Sequence, residues 1–270
     1  MKYKRVVTSG CSYAKNSFEE NRARKNCLPA DNFINPATGE EYRTNFTAEL
    51  GGLLDLPAYS LAVNGIGFKF IIYHAFLWIK SNLEKVQDTL FIISLSHRGR
   101  VTLWRPNEVN TDFYTLPGVD DKLPKTFCVP VNTIYKKDKV DTDWRRQQST
   151  EAGINPDAFD TFLNVFWKEL IDIPSKFAID EMLVTLFNSY CRDIGLDVLY
   201  IDVPGEHRHG STNWRDIING KFLDFPDGRQ YWKDYLTHKD SAYKGEHPNY
   251  NDHVELGEIL ADYIRGMPNI

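Results

Sequence analysis

Hydrophobic positions along this chain follow two alternating styles. Short continuous apolar runs are separated by longer stretches in which apolar residues recur every three or four positions. Arg5–Ser9 ("RVVTS") is the first short run, and Thr89–Leu95 ("TLFIISL") and Asp197–Val203 ("DVLYIDV") are the longest. Continuity, rather than strict alternation, marks strands buried on both faces, as in a parallel sheet. Ala58–Val63 predicts a further strand. Between the runs, Phe46, Leu50 and Leu53 or Leu54 share one face of a helix predicted over Thr44–Leu54, with Thr44 as N-cap. Ile72, Ala75, Phe76, Ile79 and Leu83 predict a long helix over Phe68–Val86. Helices are also expected over Pro156–Ile171, Lys176–Ile194 and Asp252–Arg265.

The resulting order is strand, helix, strand, helix, strand, insertion, helices, strand, loop, helix. It predicts one α/β domain over residues 1–270, with a mainly parallel sheet, helices on both faces and right-handed crossovers. Two long segments, about 97–150 and 204–246, carry charges and turn residues without sustained periodicity and read as inserted loops. In an open parallel sheet the site lies beyond the carboxyl ends of the strands. Four loops should therefore converge: those at Ser12, at Gly65, after Leu95 and after Val203. The inserted loops would cover them.

Composition narrows the function classes. With 270 residues and 42% hydrophobic content, the chain has enough apolar material for one large core. A net charge of −5 gives no general attraction to nucleic acid or anionic membranes, so neither is an expected partner. The apolar run behind Lys2, Lys4 and Arg5 is only Val6-Val7, so no signal peptide and no membrane span are expected. The four cysteines, Cys11, Cys27, Cys128 and Cys191, form no CxxC pair. Their spacing suits a reducing compartment, and the cytoplasm is the expected location.

The chemistry-bearing residues fall on those four loops. The first carries Gly10-Cys11-Ser12, the second Asn64-Gly65-Ile66-Gly67 and the third Ser96-His97-Arg98-Gly99-Arg100. The fourth returns with Glu246-His247-Pro248-Asn249, followed by Asp252 and His253. This series resembles the SGNH (GDSL-type) serine hydrolases. The "GCSY" turn and the "HPNxxxH" end are most similar to the short SGNH-like proteins of tailed bacteriophages, for which host cytoplasm or virion would be the location. The resemblance covers the sheet and its four loops, about half the chain. It implies a three-layer, flavodoxin-like fold. It also implies a nucleophile at Ser12 and a general base at His247. Oxyanion donors are implied at the backbone N–H groups of Ser12 and Gly65 and at Ser96. No cofactor or metal is implied. The substrate class would be a small-molecule or glycan ester.

The residue types suit that chemistry. A serine hydroxyl needs a base within hydrogen-bond reach, and imidazole exchanges protons near neutral pH. Donors fixed in advance stabilise the tetrahedral oxyanion. Three departures from the family pattern stand out. Cys11 replaces the aspartate of GDS, Ser96 or His97 replaces the asparagine of the third block, and Lys244 occupies the place of the acid that orients the histidine. Asp240, Glu246 and Asp252 are the nearby candidates for that acid. Arg98 and Arg100 leave a strand at its functional end and are candidates to clamp an anionic substrate group.

Each residue also has a plainer reading. Ser12 suits a helix N-cap, and His247-Pro248-Asn249 suits the start of a helix. Gly65 and Gly67 form only part of a dinucleotide fingerprint, with Phe70 in the place of the third glycine. His207 and His209, with His238, make an HxH that reads as a solvated loop. The cluster Lys136, Lys137, Lys139, Arg145 and Arg146 reads as a solvated face. Trp104, Trp144, Trp214 and Trp232 would serve either as stacking surfaces for sugar rings or as small cores under long loops. The competing functions are a silent SGNH scaffold that binds a glycan, nucleotide or protein, and an acyltransferase using the same acyl-enzyme.

Overall fold

The computed structural model describes residues 2–10, 14, 33–34, 41–42, 45–63, 67–95, 100–104, 113–119, 122–124, 126–130, 150, 155–158, 161, 173–203, 214–239, 248 and 250–267. Its centre is a five-stranded parallel sheet. In chain order the strands are β1 (Arg5–Ser9), β2 (Ala58–Ser60), β3 (Thr89–Leu95), β4 (Asp197–Asp202) and β5 (Lys221–Phe222). In space they lie β5-β4-β3-β1-β2. Read from the other edge this is 2-1-3-4-5, the flavodoxin-like order, in which the winding direction reverses between β1 and β3. The predicted α/β class therefore follows from strand order alone.

Burial explains the strands. Every residue of β3 is buried, and β1 is buried from Val6 to Ser9. Among the described residues the long helices are α1 (Phe46–Leu54), α2 (Phe68–Ser81), α3 (Ile173–Asp193) and α5 (Tyr250–Gly266). A shorter helix, α4 (Trp232–Lys239), precedes the last. The connection from β1 to β2 steps one way along the sheet, and that from β2 to β3 steps back past β1. Right-handed crossovers then place α1 and α2 on opposite faces. The packing agrees: α1 lies against α5, and α2 against α3. On the α2 side, Ser9 Oγ donates to the carbonyl of Ile71 at 2.8 Å, and Tyr200 Oη donates to Asn188 Oδ1 of α3 at 3.2 Å. On the other side α5 crosses α1 closely at Gly257. A Cβ there would lie 2.8 Å from Glu49 Cβ, so only a glycine allows that approach.

Element ends differ from the pattern reading where side chains compete for backbone groups. The cap of α1 is Asn45, not Thr44: its Oδ1 accepts from the Ala48 N–H at 2.9 Å. Thr44 itself lies outside the described residues. The helix expected through Val86 stops at Ser81. Asn82 turns its amide back to the carbonyls of Trp78 (2.9 Å) and Gly118 (2.8 Å), and a 3-10 turn, Leu83–Asp88, leads into β3. The first inserted segment contains two antiparallel pairs. Arg100–Trp104 pairs with Thr126–Pro130, and Phe113–Thr115 with Lys122–Pro124. A further pair joins Phe33–Ile34 to Glu41–Tyr42. The second segment, read as loop, supplies β5 of the main sheet. Two residues are too few to show a periodicity. The helix expected over Pro156–Ile171 falls mostly outside the described residues. Among the described residues, no helix is long and apolar enough to cross a membrane.

Candidate functional site

The carboxyl edge of the sheet is built around Gly10. This residue follows β1 at the point where the strand order reverses. A Cβ on Gly10 would stand 2.6 Å from Ala14 Cβ and 2.8 Å from Ser94 Cβ. The glycine is thus required by close approach: the chain leaves β1, presses against β3, and comes back over itself within four residues. The next segment is held just as closely. The Leu61 N–H donates to the Thr8 carbonyl at 2.7 Å, and the Val63 N–H to the Gly10 carbonyl at 3.2 Å. The ladder so continues past β2 as far as Val63 and Gly10. On the other flank, the Val203 N–H donates to the Leu95 carbonyl at 3.4 Å. Four chain exits, at Gly10, Val63, Leu95 and Val203, therefore lie along one edge.

Along the chain, Ser12, Gly65, Ser96 and Arg98 follow the first three of these exits within three residues. Ser12, Gly65, Ser96, Arg98, Asp240, Lys244, Glu246 and His247 all lie outside the described residues. Arg100 is the first residue of its strand, opposite Pro130. Pro248, next to His247, is buried. Asp252 is the third residue of α5 and is buried. An acid in the first turn of a helix also has a structural reason to be there, because it meets the positive end of the helix dipole.

His253 is fully buried and is fixed by three contacts. Its Nδ1 accepts from the Phe46 N–H at 3.3 Å, at the first residue of α1. Its ring stacks on that of Phe46 (centroids 6.1 Å, 12° between planes) and meets Trp232 edge-on at 5.5 Å. An accepting Nδ1 places the proton of the neutral ring on Nε2. His253 thus ties the first turn of α5 to the start of α1, and with it the chain that follows His247.

His74 plays a comparable part for the second loop. It is buried on α2, and its Nδ1 lies 3.3 Å from the Leu61 carbonyl, to which it donates. Burial lowers its pKa to about 4, against the smaller opposing effect of that hydrogen bond. The ring is therefore neutral near pH 7.

Two tryptophans left open by the sequence act as core anchors. Trp214 is buried against Phe68, the first residue of α2 (4.6 Å between centroids), and Trp232 against Phe46 and His253. Trp104 and Trp144 offer no such comparison, since their side chains lie outside the described residues. Arg215 fastens the return of the second inserted segment by donating to the carbonyls of Leu223 (2.7 Å) and Gln230 (3.2 Å) and to Asp224 (2.8 Å).

One buried acid at this edge was not singled out in the sequence. Asp202 ends β4 and is only 2% exposed. It pairs with Leu95 on one side and forms a parallel bridge to Tyr231 on the other. Burial, and after it the Asp202 charge, pushes the Tyr231 phenol up to about 12. The available signal was an acid placed inside the apolar run "DVLYIDV", at its carboxyl end.

No family model matches the chain, and no curated protein matches it. Among solved structures the chain is similar to a protein described as lipolytic and of the G-D-S-L family, from Desulfitobacterium hafniense DCB-2. The two share 11% identity over 96% of this chain and 98% of that one, with a TM-score of 0.40.

Proposed function

We propose that the protein is an SGNH-like serine esterase or deacylase that cleaves a small acyl ester, with a carbohydrate ester as the substrate class. The supporting observation is the position of Gly10. The side-chain-free exit of β1 stands at the reversal of strand order, where open α/β sheets bind their ligands, and leads directly into Cys11-Ser12. In this reading Ser12 Oγ attacks the ester carbonyl while His247 takes the hydroxyl proton. The tetrahedral oxyanion is held by the N–H groups of Ser12 and Gly65 and by Ser96. His247 returns the proton to the departing alcohol, and water then releases the acid by the same route. Arg98 and Arg100 would bind an anionic part of the substrate, and the inserted segments would set specificity.

Lys244 favours a second reading, a silent scaffold that binds a glycan or other ligand without turnover. A fluorophosphonate probe separates the two. The hydrolase reading expects covalent labelling at Ser12 that is lost in Ser12→Ala and His247→Ala. Folded, unlabelled wild-type protein would refute it. An acyltransferase would label equally, and would differ by transferring its acyl group to an added alcohol in competition with water.

A further inference from the structure

We propose that the exposed side of α3, with Phe76 of α2 beside it, is the surface through which two copies of this chain associate. The inference does not depend on the hydrolase reading above. Four large apolar side chains mark the surface: Phe76, Ile179, Met182 and Leu186 are each between 41% and 59% exposed. Helices α2 and α3 pack together, and the Phe76 and Tyr190 rings meet at 5.8 Å between centroids, so the row on α3 runs on into α2.

This row is separate from the side of α3 that serves the core. The helix already buries Asp180, Val184, Phe187 and Cys191. Ile179, Met182 and Leu186, spaced three and four apart, share another side of it. The exposed residues from 178 to 189 are Ala178, Ile179, Met182, Thr185 and Leu186, and none of them is charged. A helix side that meets water alone ordinarily carries charges. Exposed charge resumes at the end of the helix, with Arg192 and Asp193.

Area and spacing select a second copy as the occupant. At about half exposure, each of the four side chains presents roughly 100 Å² of apolar surface, or about 400 Å² together. A standard interface covers about 800 Å² per partner, of which about 60% is apolar. The four thus supply most of the apolar area that one half of a stable dimer needs. The spacing is also self-complementary, because Met182 lies between two branched aliphatic residues. Laid antiparallel across a two-fold axis, α3 sets Ile179 against the partner subunit's Leu186 and Leu186 against the partner subunit's Ile179, with Met182 near the axis. Such reciprocal contact is what a two-fold dimer requires, and a three-four seam is the pattern that receives another helix. With a net charge of −5, the chain has no general attraction to an anionic lipid surface.

The test is sedimentation velocity of the full chain over a range of concentrations, with thermal melting as the check on folding. Wild type should sediment at twice the mass of the chain. Leu186→Glu should sediment as a monomer with a melt like wild type, since the position is exposed in one copy and covered only between two. Its dissociation constant should rise at least about 100-fold, because each copy would bury an unpaired carboxylate. Leu53→Glu is the control. Leu53 is equally an exposed leucine, but it lies on α1, on the other face of the sheet, and this variant should dimerise as wild type does. Should Leu186→Glu melt below wild type, Met182→Ser decides, with a dissociation constant raised at least about 10-fold. A wild type that stays monomeric up to roughly 100 μM overturns the proposal. Flotation of that monomer with phosphatidylcholine vesicles, lost in Leu186→Glu, would overturn it in favour of a lipid surface. A dimer that survives in folded Leu186→Glu or Met182→Ser, or that Leu53→Glu splits, overturns it as well.

Discussion

His74 makes stability depend on pH in a window that can be calculated. The imidazole is lowered from 6.5 to about 4 in the folded chain, chiefly by burial. As pH falls, the unfolded chain binds a proton first. The neutral, buried ring therefore contributes its full stability above pH 6.5, and that stability is lost as pH falls toward 4. A shift of this size corresponds to about 3 kcal/mol across the whole window, and to about 2.5 kcal/mol between pH 7.5 and 4.5. Against a total of roughly 5–15 kcal/mol for a domain, such a loss is large. The measurement is urea unfolding of wild type and His74→Gln at both pH values. Glu49, whose carboxyl is raised by burial and by the Glu258 charge, also titrates in this range, so the quantity of interest is the difference in slope. The variant should lose about 2.5 kcal/mol less than wild type on acidification, although it is less stable at pH 7.5. Equal slopes would show that the ring is not a buried neutral group, and the account of how the Leu61 segment is held would fail.

Two further outcomes follow from close contacts. In Gly10→Ala the new methyl would press on Ala14 and Ser94, both attached to rigid backbone. It should lower stability by about 1–3 kcal/mol and slow fluorophosphonate labelling even where the protein remains folded; unchanged melting and labelling would refute the close approach. His253→Phe keeps an aromatic ring against Phe46 and Trp232 but removes the acceptor for the Phe46 N–H. It should cost about 1–3 kcal/mol and speed hydrogen exchange at the Phe46 amide, and exchange as slow as in wild type would refute the cap.

The sequence carried the layers of the fold well and the fine placement of the site poorly, for physical reasons. Strands buried on both faces, such as Thr89–Leu95, announce themselves by unbroken apolar character, and α1 and α5 by their spacing. Strand order is also constrained once crossovers are right-handed. Lys221–Phe222 was unreadable as a strand because its place in the sheet comes from tertiary pairing with Leu199 and Tyr200, not from any local pattern. The end of α2 was misjudged because the helix period runs on past Ser81, while the Asn82 amide satisfies carbonyls from outside the helix. The burial of Asp202 was not readable because it comes from pairing with Leu95 and Tyr231, which links residues far apart in the chain. His253 stood out in the sequence, but only its contact with Phe46 reveals a buried anchor.

These anchors bear on how such a site would work. Catalysis by a positioned serine depends on donors and base being held before the substrate arrives. Around the carboxyl edge that rigidity comes from residues with no part in the chemistry. Gly10 fits β1 tightly to β3, His74 holds the chain after β2, and His253 with Trp232 holds the first turn of α5. Each anchor lies within a few residues of a proposed catalytic group: Gly10 two before Ser12, His74 bound to Leu61 four before Gly65, and His253 six after His247.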